Sequence, residues 1–190
     1  EAWWQAIQVV PAAEWQTKAH LFSNYLFIAH YLADMPDRLL QERHFQYEAI
    51  FAGQQQYRHT PRNRKKLRIG YISPDFRRHI MLSFIVQLLA CRNRDRYEAY
   101  CYMTAAPDEA SAQLLPLVDG WRELAGRTPA EAARCIYEDQ IDILFDLAGH
   151  SHGGYTLLTT ACKPAPIQLS GLGYFDTTGL AAMDYFLTDG

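Results

Sequence analysis

Cysteine is scarce in this 190-residue chain: Cys91, Cys101, Cys135 and Cys162 are the only four, with no C-x-x-C pair among them. That spacing excludes a disulfide-stapled scaffold and a thiolate knuckle, and it reads as the reduced, buried thiols of a cytosolic protein. Long apolar runs are missing too, since none approaches the roughly 18 uninterrupted residues of a membrane span. The opening Glu1-Ala2-Trp3-Trp4 lacks the basic region that begins a signal peptide. No charge sign dominates. With 18 Lys and Arg against 21 Asp and Glu, the net charge is −3 and the pI near 6.2, which gives no global pull toward nucleic acid or membrane surfaces. A cytoplasmic protein with no nucleic-acid and no membrane partner is expected. A P-loop is absent, and no G-x-G-x-x-G follows the first strand-like run.

What remains is 49% apolar and 13% aromatic, enough for one ordinary domain and a small extra element. Residues 1–57 pattern as helices. Leu21, Tyr25, Ile28 and Leu32 recur at helical spacing, Asp34-Met35-Pro36 breaks the run, and Leu40, His44, Tyr47 and Phe51 share the next face. Paired aromatic-faced helices suit a helical repeat or a collar on a neighbouring domain. Arg58 to Arg68 then carries six basic residues in eleven, which reads as a solvated linker, with 58–66 as the boundary.

From Leu67 strands and helices alternate. Leu67–Ser73, Tyr97–Met103, Trp121–Leu124, Ile141–Ala148, Pro166–Ser170 and Tyr185–Thr188 read as strands. Met81, Phe84, Ile85, Leu88 and Leu89 make a helical face, and residues 108–118 also pattern as helix. Thr128-Pro129-Ala130-Glu131 is a capping box with proline in the first turn, so a helix runs from there to about Asp139. A short helix follows over Thr156–Cys162. Repeated βα units imply an α/β, Rossmann-like parallel sheet over residues 67–190, covered on both faces. The first helix has no start signal and the chain stops just past a strand, so a fragment of a larger fold is expected.

In a parallel sheet the loops after the strands share one edge. Here those loops are Ser73–His79, Gly149–Gly154 and Leu172–Thr178, each rich in His, Asp, hydroxyl and Gly groups that suit sugars or phosphates. His79 opens a helix, where it is either a cap or a partner for an anion. Gly149-His150-Ser151-His152-Gly153 matches the G-x-S-x-G elbow of serine hydrolases, with Ser151 as nucleophile. Against that, no histidine follows His152 and no Gly-rich oxyanion loop lies upstream. His150, His152 and Asp146 lack a third protein ligand at an obvious spacing, so no metal site is expected.

The same loops carry a resemblance. LRIGYISPDFRRH (67–79), YEAYCYM (97–103), IDILFDLAGHSHGG (141–154) and KPAPIQLSGLGYFDTTGLAAMDYFLTD (163–189) resemble, in order, the catalytic region of the O-linked N-acetylglucosamine transferase (SPINDLY-type) family, particularly its bacterial members. SNYLFIAHYLADMP near the start is similar to the helices that join that family's tetratricopeptide repeats to its catalytic part. The resemblance implies the first lobe of a two-lobed GT-B glycosyltransferase, with a helical collar before it and the second, mainly nucleotide-holding lobe absent. It also implies an inverting, metal-independent enzyme without a cofactor. Its donor would be a nucleotide sugar, UDP-N-acetylglucosamine first, and its acceptors Ser and Thr of proteins.

Carried over, His79 matches the family's active-site histidine after S-x-D-F, which brings Asp75 with it, and His150 matches the polar position of the G-[H/Y]-T loop, flanked by Gly149 and Ser151. Leu172 and Gly173 match the L-G-Y turn that lines the sugar pocket, with Tyr174 and Thr177 beside them. The family's W-L-G-Y-P-G-T reads Gly171-Leu172-Gly173-Tyr174-Phe175-Asp176-Thr177 here. Phe175-Asp176 is therefore expected to bear on donor preference. Arg134 and Tyr137 stand where animal members carry acid/base candidates, so no general base is assigned. Two other readings stand beside transfer: an inactive protein-binding module built on the helical part, and the Ser151 hydrolase.

Overall fold

Runs of β-branched and aromatic residues form the sheet. In the computed structural model, which describes residues 2–188, β1 (Leu67–Ser73), β2 (Tyr97–Met103), β3 (Gly120–Glu123), β4 (Ile143–Asp146), β5 (Ile167–Gly171) and β6 (Tyr185–Leu187) lie in the order β3-β2-β1-β4-β5-β6. Every neighbouring pair is parallel. Glu1 of the expected collar and Asp189 and Gly190 of the expected lobe lie outside the described residues. Ile72 sits opposite both Tyr102 and Asp146, and Asp146 sits opposite Ser170. The four central strands therefore release their loops at one level.

Helices cover both faces, as a sheet buried on two sides requires. The collar comes first, with α1 (Ala2–Gln8), α2 (Trp15–Ala29) and α3 (Asp37–Tyr47). On one face of the sheet, α4 (Met81–Ala90) buries Met81, Leu82, Ile85 and Leu89 against Tyr71, Cys101, Met103 and Phe145. On the other, α5 (Pro129–Glu138) packs Ala132 and Ile136 onto Ile72, Tyr102 and Leu144. Its capping box forms as read, Thr128 Oγ1 accepting from the Glu131 N–H while the Glu131 carboxylate accepts from that of Thr128. The last helix of the lobe, α6, is Tyr155–Thr160. No helix is long and apolar enough to cross a membrane, among the described residues.

Several local expectations shift for physical reasons. The apolar run 141–148 pairs only over Ile143–Asp146, because an aspartate closes each end. Asp142 turns its carboxylate to the Arg68 N–H at 2.9 Å, and Asp146 takes two loop amides. Residues 109–117 form a 3-10 rather than an α-helix, with Pro116 inside, a residue that has no N–H for an α-helical bond. In α2 the buried face is Ala19, Phe22, Tyr25, Leu26 and Ala29, so Tyr25 is buried as read, whereas Ile28 and, past the helix end, Leu32 are exposed. The stripe read from sequence is turned because α2 contacts the lobe as well as its neighbouring helices. The α3 face is buried as read, through Leu40, His44, Tyr47 and Phe51.

The basic run is not a free solvated linker. Tyr57 N–H donates to Cys162 O at 2.9 Å, the His59 ring to Lys163 O at 2.8 Å, and Arg62 to Ile141 O at 3.2 Å. Arg62 and Arg64 flank the Asp142 carboxylate at 3.7 and 3.9 Å. It is a strap along the amino edge of the sheet, opposite the loops.

Collar and lobe share a core. Trp4, Ile7, Phe22, Leu26, Leu40, Tyr47 and Phe51 pack in one cluster with Leu157, Leu158, Ala161 and Leu180 of the lobe. Leu26→Ala at this fully buried position should cost about 2–5 kcal/mol. Because the core is continuous, calorimetry and near-ultraviolet circular dichroism should show one transition moved downward. Separate melting of the helices and the sheet would contradict a shared core.

Candidate active site

Strand order reverses between β1 and β4, and in an open α/β sheet ligands bind in the crevice beyond the carboxyl ends at that point. The loop after β1 starts with Ser73, whose Oγ accepts the Asp75 N–H at 3.0 Å and turns the chain inward. Phe76 then enters the core and Asp75 is buried. His79 stands just before α4, its Nδ1 accepting the Met81 N–H at 3.3 Å. Asp75 Oδ1 faces His79 Nδ1 at 3.6 Å and His152 Nε2 at 3.1 Å. Both imidazoles are open to solvent, at 38% and 43% of their side-chain area.

The loop after β4 is organised by Asp146, which is fully buried and accepts the N–H groups of Ala148 and Gly149, each at 3.0 Å. Burial pushes its carboxyl up to about 6, while these hydrogen bonds pull in the opposite direction. The loop then passes through His152 in the left-handed region, at φ 50°. Gly149 has φ 55°, and a Cβ there would lie 2.5 Å from that of Tyr174. A Cβ on Gly173 would lie 1.9 Å from Leu147 O. The β4 and β5 loops therefore touch backbone to backbone, which glycine alone permits.

Behind the edge, the loops are pinned to the collar. Tyr174 is 1% exposed and its hydroxyl lies 2.7 Å from His44 Nε2 and 3.1 Å from His30 Nε2. His44 Nδ1 donates to Leu40 O at 2.9 Å, so with a neutral ring Tyr174 donates to His44 and accepts from His30. His150 donates from Nε2 to Thr178 O at 3.0 Å, and its Nδ1 meets Ser23 Oγ at 2.6 Å. Its ring packs edge-on against Tyr47 and Tyr174. Burial lowers the pKa of His30, His44 and especially His150, outweighing the pull of Asp176 on the first two.

The residues picked out from the sequence thus divide. Asp75 and His79 lie together beside a cleft of about 240 Å³ lined by Pro74, Arg77, Thr104, Ser151, His152 and Tyr155. Leu172 is exposed at the same edge, and Thr177 lines a neighbouring cleft of about 200 Å³ with Ser170 and Asp184. His150 and Tyr174 point into the collar joint with their polar atoms engaged, so their side chains hold the loops rather than face the opening. Ser151 Oγ donates to Ala148 O at 2.7 Å, and no imidazole pairs with it among the described residues. Arg77 was not picked out, and His152 was weighed only as a metal ligand beside His150. His152 reaches the outer side because the 151–154 turn passes through it in the left-handed region, a local conformation with no sequence signal. A larger cleft of about 640 Å³ lies on the collar, among Trp4, Trp15, Lys18 and Phe22. It lacks convergent titratable groups, and topology favours the edge over volume.

The family model for glycosyl transferase family 41 matches residues 45–190. This chain belongs to that family. A Petunia hybrida protein named as a probable UDP-N-acetylglucosamine–peptide N-acetylglucosaminyltransferase SPINDLY is 29% identical over 87% of the chain, and its Oryza sativa counterpart is 37% identical over 66%. The Caenorhabditis elegans UDP-N-acetylglucosamine–peptide N-acetylglucosaminyltransferase is 33% identical over 70%. The chain spans 19%, 14% and 12% of these relatives. A solved mutant of the Thermobaculum terrenum O-GlcNAc transferase matches with a TM-score of 0.83 and 30% identity, over 90% of this chain and 34% of that one. The family 41 chain therefore has the fold expected of it, a parallel-sheet lobe approached by helices.

The buried histidines give this lobe a pH signature. The ordinary value of 6.5 applies to the unfolded chain, and the folded His44 and His150 lie below it. On acidification the unfolded state takes protons first, so stability is present above 6.5 and drains away below it. Asp146 acts oppositely, but only as pH falls through about 6. Unfolding free energy should fall between pH 7.5 and 6 by on the order of 1 kcal/mol per pH unit, read as a lowered melting temperature. His44→Gln should flatten that slope. A melting temperature level across this window would refute neutral burial.

Proposed function

We propose that this chain is the first lobe of a cytoplasmic protein O-glycosyltransferase. It moves N-acetylglucosamine, or a related sugar, from a nucleotide sugar to Ser and Thr hydroxyls of protein acceptors. UDP-N-acetylglucosamine is the first donor to test. The carrying observation is the placement of Asp75 and His79 at the β1/β4 switch point of a family 41 lobe. The unpaired cysteines support a reducing compartment.

In this reading the acceptor hydroxyl attacks the anomeric carbon from the side opposite the diphosphate. The carbon–oxygen bond to the diphosphate breaks and the configuration inverts. Charge then builds on the leaving oxygen. His79, Arg77 and the amino end of α4 are the groups of this lobe that can meet it without a metal ion, and such fixed donors are worth most where charge develops. Leu172, Gly173 and Thr177 line the sugar side. Gly149 and Ser151 shape the floor. His150 and Tyr174 act as positioning residues, holding the β4 and β5 loops against the collar. The attacking proton leaves to a base that the matched motifs do not identify.

Because the chain spans under a fifth of its curated relatives, activity belongs to the full-length protein. Incubated with UDP-N-acetylglucosamine and cell lysate, it should label acceptors, with UDP-hexose and GDP-fucose run alongside. His79→Ala should lower transfer about a hundredfold or more at unchanged melting temperature. An inactive binding module predicts no transfer in wild type and no effect of His79→Ala. A fluorophosphonate probe should leave Ser151 unlabelled, given a hydroxyl turned to Ala148 O and no imidazole to activate it.

A further inference from the structure

The mouth of the cleft holds one imidazole that the proposed transfer leaves idle. Asp75 has 3% of its side chain exposed, and its Oδ1 accepts no hydrogen bond. A buried carboxylate oxygen without a donor is unfavourable, so a donor is needed close by. His79 does not supply it. Its Nδ1, 3.6 Å from Oδ1, accepts the Met81 N–H, which leaves the proton of the neutral ring on Nε2. His152 is the other candidate. Its Nε2 lies 3.1 Å from the same oxygen but off the line of a hydrogen bond, and a small rotation of the half-exposed ring aligns it. Catalytic hydrogen bonds are often loose until substrate binds. With Nε2–H given to Asp75, the neutral His152 ring keeps its lone pair on Nδ1, which has no partner among the described residues.

We propose that His152 is the general base of the transfer, with Asp75 as the positioning residue that orients it. The assignment rests on the glycosyltransferase reading of this lobe. In the step, the acceptor hydroxyl gives its proton to His152 Nδ1 as its oxygen bonds to the anomeric carbon. The bond from that carbon to the diphosphate oxygen breaks, and the diphosphate leaves with the electron pair. The imidazolium so formed lies against the Asp75 carboxylate, which fixes its tautomer beforehand and stabilises its charge afterwards. His79, with its proton on Nε2, meets the leaving oxygen, so one carboxylate stands between a base and a donor. Their ring centroids are 6.2 Å apart, close to the roughly 6.5 Å at which acid and base groups begin to flank an inverting displacement at a sugar carbon. The backbone agrees. His152 lies in the left-handed region at φ 50° and ψ 35°, a costly conformation for a residue with a Cβ, and its ring lines the cleft instead of following His150 into the collar joint. Arg77 and Tyr155 share the cleft, and from the collar His20 packs on Gly153. None of these is free to take the proton: Arg77 is cationic, the Tyr155 hydroxyl donates to Arg127 O at 2.6 Å, and His20 Nε2 is engaged by the Asn24 amide.

The test measures kcat, KM and melting temperature of the full-length protein on a Ser-containing acceptor peptide, with UDP-N-acetylglucosamine, UDP-hexose and GDP-fucose in parallel. His152→Asn suits the left-handed backbone. It should lower kcat about a hundredfold or more, with KM and melting temperature little changed. In the wild type kcat should fall on the acid side as the base takes a proton, and His152→Asn should lose that limb. The collar histidines are the same in both proteins, so their effect on stability cancels in the comparison. His152→Gly, which the backbone also accepts, should regain transfer when imidazole is added. A residue that only shaped the loop would give neither result. Should His152→Asn melt lower, the imidazole result decides: rescue supports the base and its absence overturns it. Transfer by His152→Asn within about threefold of wild type, or with the same acid limb, overturns the base and leaves the transferase reading standing. No transfer by the wild type from any donor overturns both.

Discussion

The hydroxyl of Tyr174 is the point on which the sheet edge depends. A buried phenol needs its hydrogen bonds satisfied inside the protein, and this one finds both partners in the collar, His30 at the carboxyl end of α2 and His44 on α3. The β5 loop that carries Tyr174 is also locked to the β4 loop, since Gly149 and Gly173 leave room for nothing larger. One side chain therefore fixes two loops to two helices. The collar is part of the site's construction, even though the cleft residues Asp75, His79, Arg77 and His152 all belong to the lobe. It supplies the wall against which those loops are set.

The β4 loop separates two populations of histidine. His150 turns inward to Ser23, Tyr47 and Tyr174, and His152, two residues on, turns outward to Asp75. The inner group of His30, His44 and His150 is held neutral by burial, which keeps cationic charge out of the joint. The outer pair sits at the solvent-open mouth beside a carboxylate. Imidazole thus does packing and hydrogen-bonding work on one side of the loop, and is free for chemistry on the other. The reversal of strand order between β1 and β4 makes the outer side a shared crevice.

Much of this was legible in the sequence, and what was not has identifiable causes. Strand periodicity, the capping box at Thr128 and the β-to-helix alternation report local physics, and the parallel sheet with its edge loops follows from them. The α3 face was readable for the same reason. The turned face of α2 and the inward course of His150 and Tyr174 depend on what the collar docks against. That is a tertiary fact with no local periodicity. The basic run looked like a linker because arginines are usually solvated; here Asp142 and a row of carbonyls at the amino edge hold two of them down. The Asp75–His152 contact joins residues 77 apart and has no sequence signal except that each lies after a central strand.

The collar also gives Phe175-Asp176 a different meaning from the one its place in the L-G-Y turn suggests. The Phe175 ring lies 4.7 Å from that of His30 and 6.5 Å from that of Phe27, and the Asp176 carboxylate lies 3.5 Å from His30 Nε2. These contacts point away from the cleft and onto α2. Where the related pattern has a proline and a glycine, whose backbones would set the loop by themselves, this chain sets it with side chains that grip the collar. In the proposed transfer the sugar side falls to Leu172, Gly173 and Thr177, which match the related motif. Docking onto the collar accounts for the departure.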